Sequence, residues 1–454
     1  MSIRLKSARR AVGGVAACQT GRSRPGQPAL PKVRGGGLCL FLGLMAMLFG
    51  GPATAQKAPK PVKTSKPPRP VFLEVRQKQL YLGDVPFRNI GVNIPDLFER
   101  FLHGDDASGV KALADARAAG VRLVRCWGTT WGADGFGTFE QDRARWLDAF
   151  DRMLAAADSD NIAIVPSLLF NPNMLPDYVR RTTGKDEQIV TYLTTGSASN
   201  ALAVAYVTAI VSRYANDTRV LFWEIGNEYN LEADLSAQWK SRPADQIPTS
   251  DQIRAFLVQI ATLIHRLDKH HLVTSGNADM RPAAWHMRQA MLAHRRDPHP
   301  LDYPMDWTPD IFPEYIEMLR FFNPPPLDIV SVHEYPPDSN DTPFWITEDG
   351  KRAFRLPWVG YAAYDIGKPL FVGELGQKVF VNGKEQDSPW LQDALQRVEA
   401  GTAPIAALWS WEFGEGNADQ TVYSLSPQNT PQLVKALTAA NAVILASVAR
   451  TAVH

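Results

Sequence analysis

Eight short apolar runs, each followed by a longer stretch with helical spacing, set the tightest limit on what this chain can fold into. The strand candidates are Phe87–Val92, Val121–Cys126, Ile162–Ser167, Val220–Ile225, Leu272–Ser275, Asp328–Val332, Leu370–Gly373 and Ile405–Trp409. Helical spacing fills Ala107–Ala119, Gln141–Ala157, Ala201–Tyr214, Asp251–Leu267, Pro309–Phe321, Lys351–Asp365, Trp390–Glu399 and Thr430–Val448. Strands separated by helices pair in parallel, and parallel strands buried on both faces read as continuous apolar runs. Eight such units predict an α/β chain closed into a (β/α)8 TIM barrel, with an open doubly wound sheet as the alternative. Ahead of the first unit, the segment VFLEVRQKQLYLGDVPF alternates around a turn and predicts an N-terminal β-hairpin. A long insertion, 276–327, separates the fifth and sixth strands.

Charge divides the chain. The whole sequence is nearly balanced, with 48 Lys+Arg against 47 Asp+Glu. Residues 1–55 nevertheless carry bases and no acid, followed by the apolar run Leu38 to Phe49 and then Ala53-Thr54-Ala55. Basic, apolar, then small-x-small predicts a cleaved export signal over 1–55 and a secreted or periplasmic protein. The apolar run is too short for the ~20 residues of a bilayer-spanning helix, so no stable membrane insertion is expected after cleavage. An uncleaved anchor is the alternative. Residues 56–70 are rich in Lys and Pro and predict an extended linker. Cleavage removes Cys18 and Cys39, so Cys126 alone remains and no internal disulfide is expected. The body, 71–454, holds 35 bases against 47 acids. That excess argues against nucleic acids and anionic polysaccharides as ligands and favours a neutral glycan.

In a barrel of this kind chemistry collects where strands end and loops begin. Polar and aromatic residues gather at those ends: Asn93, Arg125-Cys126-Trp127, Glu224 to Glu228, His333-Glu334-Tyr335, Gly373-Glu374 and Trp409-Ser410-Trp411. Glu228 and Glu374 directly follow the fourth and seventh apolar runs, so they face each other across the mouth. Paired carboxylates suit glycoside hydrolysis, and a retaining double displacement needs them ~5–5.5 Å apart.

Asn227-Glu228, His333-x-Tyr335, Glu374 and Trp409, in this order after successive strands, resemble the cellulase and β-mannanase families of the retaining (β/α)8 glycoside hydrolase clan, in the manner of family 5. FRNIGVN and Arg125-Cys126-Trp127 carry the same resemblance, which spans about Phe72 to Phe413. It implies a catalytic domain over 71–454, Glu228 as general acid/base and Glu374 as nucleophile. Physical reasoning agrees with those roles. Arg125 would place a cation beside Glu374 and favour its ionised form. Tyr335 would donate to the same carboxylate, Asn227 would hold the sugar 2-hydroxyl, and His333 would line the same subsite. Trp409 and Trp127 offer apolar faces to pyranose rings, and Trp131, Trp307 and Trp411 extend the track.

Glu224 is expected lower in the barrel, paired with a buried base, and Glu334 is expected to point away from the mouth. Glu412 and Glu415 are rim candidates without a catalytic role. Trp146, Trp239, Trp285, Trp345, Trp358 and Trp390 are expected in the core. No metal-binding or phosphate-loop pattern is present, so no cofactor or metal is expected. The expected enzyme is a monomer acting on β-1,4-linked mannan or glucan. The alternatives are a non-catalytic carbohydrate-binding barrel and a transglycosylase that uses the same residues. Cys126-Trp127-Gly128 resembles mannanases, while the other motifs are shared with glucanases.

Overall fold

Three strands, β1 (Leu73–Arg76), β2 (Gln79–Leu82) and β3 (Val85–Pro86), form an antiparallel sheet at the start of the body, so the expected hairpin gains a third short strand. The eight apolar runs then form eight parallel strands: β4 (Asn89–Asn93), β5 (Leu123–Trp127), β6 (Ala163–Leu169), β7 (Trp223–Gly226), β8 (Val273–Thr274), β9 (Val330–Glu334), β10 (Leu370–Gly376) and, after a small ribbon of β11 (Phe380–Val381) and β12 (Lys384–Glu385), β13 (Ile405–Trp409). Their order is β8-β7-β6-β5-β4-β13-β10-β9. The two ends meet through a parallel bridge between Thr274 and Ile329, where Thr274 Oγ1 donates to the Ile329 carbonyl at 3.0 Å. The sheet is therefore a (β/α)8 barrel. This computed structural model describes residues 70–236, 243, 246–294, 303–336, 355–413 and 418–451. The expected export segment 1–55, the linker up to residue 69, Trp239, residues 295–302 of the insertion, Trp345, residues 351–354 of one helix candidate and Glu415 lie outside the described residues.

Strand alternation sorts the side chains into two cores. Val124, Cys126, Ile164, Trp223, Val330, Val332, Val372, Ala406 and Leu408 face outward and pack against the helices. Leu123, Val165, Phe222, Ile329, Phe371, Ile405 and Ala407 face the barrel axis, and Leu73, Leu80 and Phe87 of the N-terminal sheet close this inner cluster from below. Chain ends of three helices on that lower face are held by cations. Lys78 Nζ donates to the Tyr364 carbonyl at 3.0 Å, Arg88 to the Val398 and Glu399 carbonyls at 3.0 and 2.6 Å, and Lys368 to the Asn323 carbonyl at 2.6 Å. Each satisfies carbonyls that a helix C-terminus leaves without partners, at its negative dipole end. The last helix, Pro431–Thr451, is long and apolar enough to cross a membrane, yet Leu433, Leu437, Ala440, Ile444 and Val448 bury one stripe of it in the barrel's outer core. Asn441 on the same stripe bonds the backbone of Ile90 through both amide atoms, at 2.9 Å each.

Among the described residues, four helices of seven residues or more escape the sequence pattern, Leu97–His103, Ala133–Gln141, Met174–Thr183 and Ala284–His294, as do the single turns Ile189–Tyr192 and Ala418–Thr421. Leu97–His103 has only seven residues, and Ala133–Gln141 contains Gly135 and Gly137, poor helix formers that packing overrides. Pro176 sits in the first turn of Met174–Thr183, where a missing N–H leaves no hydrogen bond unmade. Trp146 is buried as expected, whereas Trp358 is 42% exposed.

Glu334 leaves the mouth, as alternation requires, and is buried on the outer side of β9 near Tyr315. Its Oε1 has no hydrogen-bond partner among the described residues, and burial pushes its carboxyl up to about 8. A folded-state pKa above the unfolded one, in an acid, means the fold favours the neutral form. Stability is then full below about pH 4.5 and falls as pH rises toward 8. Glu334→Gln removes that loss: its Tm matches the parent near pH 5 and exceeds it by at least about 2 °C at pH 9 in a thermal melt.

Candidate active site

Above the inner apolar layer the barrel axis turns polar, and a single guanidinium occupies its centre. Arg125, inward-facing on β5, is 1% exposed. Its Nε donates to both Glu224 oxygens at 2.8 and 3.1 Å, and its two terminal nitrogens reach Asn93 Oδ1 at 2.9 Å, Glu374 Oε1 at 2.9 Å and Asn227 Oδ1 at 2.7 Å. Burial opposes the charge, but Glu224 and Glu374 outweigh it and hold the guanidinium's pKa above its ordinary value. Glu224 lies lower in the barrel as the ion-pair partner that its position on β7 implied. Asn93, at the end of β4, also donates to the carbonyls of Gly373, Ala407 and Leu408, which ties β4 to β10 and β13.

Glu374 reaches the mouth only because β10 is irregular. Phe371 faces the axis and Val372 faces outward, so strict alternation would send Glu374 outward as well. The register of β10 shifts between Val372 and Glu374 against β9, a bulge that inserts Gly373 and turns Glu374 inward. A Cβ on Gly373 would stand 3.0 Å from His333 Nε2, so the bulge has room for glycine alone without moving the ring. Glu374 Oε1 then accepts from Arg125, and Oε2 accepts from Tyr335 Oη at 2.6 Å.

Glu228 is presented by the turn after β7 in a left-handed conformation, φ 56° and ψ 26°, which is unusual for a residue with a Cβ. Its amide donates to the Gly276 carbonyl at 2.8 Å. Gly276 itself is at φ +73°, and a Cβ there would fall 1.8 Å from the Gly226 carbonyl, so the ends of β7 and β8 pack at backbone contact. His333 Nδ1 lies 2.8 Å from Glu228 Oε1 and 3.6 Å from Glu374 Oε1. Burial pushes the imidazole down to about 4, which makes it neutral near pH 7. Burial also raises the Glu228 carboxyl, with Arg125 opposing in part.

One oxygen of each of Glu228 and Glu374 and one nitrogen of His333 lie within 4.8 Å of one another. That spacing would also suit a metal ion, but the Arg125 cation is already bonded to Glu374 and repels a second cation there. A second group of this kind, His286, Asp310 and Glu314, has its carboxylates occupied by the backbone amides of Trp285, His286 and Ile311 at the starts of two helices.

These residues open into a cleft of about 710 Å³ lined by Asn227, Glu228, Tyr335, Glu374, Trp127 and Trp409, with Asp96, Glu99, Trp131, Phe170, Phe413, Gln420 and Tyr423 completing the wall. All eight sequence-predicted site residues therefore converge: six line the cleft, and Arg125 and His333 support its carboxylates from beneath. Trp411 does not belong to it. It is fully buried in the outer core, where the chain after β13 bridges Leu425, so its ring faces no cleft. Trp307 is 41% exposed and lies outside the cleft lining, and Glu412 bonds Lys111 at 3.2 Å. Sequence reasoning missed Asp96, Glu99, Phe170, Phe413, Gln420 and Tyr423. Of these, Phe170 and Phe413 sit just past β6 and β13, where the strand-end rule would have found them.

Comparison with known proteins bears on the family and the fold. A family model described as cellulase (glycosyl hydrolase family 5) matches residues 87–415. A probable mannan endo-1,4-β-mannosidase C from Aspergillus terreus is 27% identical over 201 residues, 39% of this chain and 48% of that one. A mannan endo-1,4-β-mannosidase A from Hypocrea jecorina is 26% identical over 179 residues, 35% of this chain and 36% of that one. The chain thus spans half or less of the length of these curated relatives. The crystal structure of an endo-1,4-β-mannanase from Rhizomucor miehei superposes with a TM-score of 0.54 at 16% identity, covering 82% of this chain and 99% of that one, which is a likeness of fold. With the family model spanning every barrel strand from the first to the last, the chain belongs to the cellulase family, glycosyl hydrolase family 5.

Proposed function

We propose that this protein is a retaining endo-β-1,4-mannanase, with Glu374 as nucleophile and Glu228 as general acid/base. The observation that carries this reading is the pair itself: two carboxylates with oxygens within 4.8 Å of each other, in opposite environments, at the mouth of the barrel. An inverting enzyme leaves about 6.5–9.5 Å for a water between its carboxyls, so this separation supports double displacement. Glu374, with Arg125 and Tyr335 both donating to it, is arranged as an acceptor-only carboxylate. Its oxygen attacks the anomeric carbon while Glu228 protonates the departing glycosidic oxygen. Neutral His333 donates its Nδ1–H to Glu228 Oε1, which leaves Oε2 to carry the proton to the leaving group. Water, deprotonated by Glu228, then opens the glycosyl ester and returns Glu374 as a carboxylate.

Mannan is favoured over glucan because the curated relatives at 27% and 26% identity both bear mannan endo-1,4-β-mannosidase names. Twelve Trp in the sequence and the aromatic wall of Trp127, Trp131, Phe170 and Phe413 suit a polymer whose sugar rings stack in succession. The basic, apolar and small-residue order of 1–55 supports export, with the enzyme acting outside the cytoplasm.

On a panel of polysaccharides with reducing-end release as the readout, the expected outcome is release from β-mannan at least about tenfold above that from cellulose. Release from neither, with oligosaccharide binding intact, would favour a silent binding barrel. Glu374→Ala is expected to lower kcat at least about 10³-fold. Glu228→Ala loses about 10²–10⁴-fold on mannan and regains turnover with azide, giving a β-glycosyl azide. Because Glu228 must be protonated to act and burial raises its carboxyl, activity falls as pH rises through its pKa. On an activated aryl glycoside, Glu228→Ala therefore loses the alkaline limb of the parent's kcat/KM profile; an α-azide product or an unchanged limb would contradict the assignment.

A further inference from the structure

Trp131 is 54% exposed, although its ring packs at 4.7 Å from Trp127 and 5.4 Å from Phe170, which are 5% and 6% exposed. The loop continues into Gly132, where even an added Cβ would meet nothing within 4 Å, so side-chain packing does little to fix the backbone that carries the ring. Its backbone is instead gripped from both sides. Glu99 Oε1, on the first turn of helix Leu97–His103, accepts the Trp131 amide at 2.8 Å, and Asn171 Nδ2, just past β6, donates to the Trp131 carbonyl at 3.1 Å. Glu99 and Trp131 both line the cleft, on the wall that includes Trp127 and Phe170. Neighbouring Asp96 is matched by Arg100 at 3.0 Å, so Arg100 leaves the Glu99 carboxylate to the Trp131 amide. A carboxylate-to-amide bond in a half-buried setting is among the stronger hydrogen bonds available to a loop.

We propose that Glu99 and Asn171 are positioning residues that hold Trp131 as the platform of an outer sugar subsite, so that Glu99 governs affinity for longer chains through Trp131. This rests on the glycosidase reading above. An outer platform adds binding energy that a short substrate never meets. Its loss therefore appears chiefly in KM, and grows with the length of the oligosaccharide. Glutamine at 99 keeps an acceptor oxygen for the Trp131 amide, so it serves as the conservative rescue.

The experiment measures kcat and KM for β-1,4-mannobiose through mannohexaose in the full-length enzyme and in Trp131→Ala, Glu99→Ala, Glu99→Gln, Asn171→Ala and the Trp131→Ala/Glu99→Ala double variant. The expected result is that KM for mannohexaose rises about tenfold in Trp131→Ala, and by a similar factor in Glu99→Ala, with a rise at most about a third as large for the shortest member that the parent cleaves. Glu99→Gln restores at least half of the effect on a logarithmic scale, Asn171→Ala gives a smaller rise of the same kind, and the double variant is no worse than Trp131→Ala. Additive effects in the double variant, an equal loss at every chain length, or no change in KM would each overturn the proposal. A parent enzyme that cleaves no member of the series would instead overturn the glycosidase reading, so the two failures are told apart.

Discussion

Arg125 is the interaction on which the rest of the site depends. A guanidinium 1% exposed must find acceptors for all its donors or it is not tolerated, and here it finds them on β4, β7 and β10 and on the turn after β7. Removing one partner of such a buried pair leaves an uncompensated charge, at about 3–5 kcal/mol. The arrangement fixes Glu374 and Asn227 around one rigid, planar fork. It also separates two carboxylates by height along the axis: Glu224 pairs with the cation from below, and Glu374 stands between that cation and the cleft.

Around this centre the barrel is layered along its axis. Apolar side chains fill the lower part beneath the ion pair, sealed by the N-terminal sheet, and the polar side chains stand above them at the cleft. The consequence is that ionisable groups of the same strand meet very different surroundings. On β9 and just past it, His333 and Tyr335 face the carboxylates, while Glu334 between them is buried among the outer packing and pushed up to about 8. One residue of slip in β9 would exchange their places, which is why strand register carries as much of the function as residue identity does.

Much of this was legible in the sequence because parallel strands leave a plain trace. Eight apolar runs gave eight barrel strands, and Arg125, Asn227, Glu228, His333, Tyr335, Glu374, Trp127 and Trp409 all stand where strand ends placed them. The aim of Glu374 was less legible. Counting alternation from Phe371 sends it the wrong way, and only the glycine before it hints at the bulge that corrects this. Trp411 was misread because two aromatic residues spaced two apart look equivalent, whereas the chain leaves strand geometry after Trp409 and buries the second ring. Asp96, Glu99, Gln420 and Tyr423 reach the cleft from loops and short helices whose course depends on tertiary packing, and no local periodicity marks them.

The most direct measurement of the central claim is the covalent intermediate itself. Incubation of the parent enzyme with an activated 2-deoxy-2-fluoro-β-mannoside slows the second displacement, so that the glycosyl ester accumulates and is read by mass spectrometry of the intact protein and its peptides. One added fluorosugar is expected, on the peptide carrying Glu374, together with time-dependent loss of activity. A label on any other carboxylate, or a β-mannosidic bond cleaved with inversion and no adduct at any time, would contradict it.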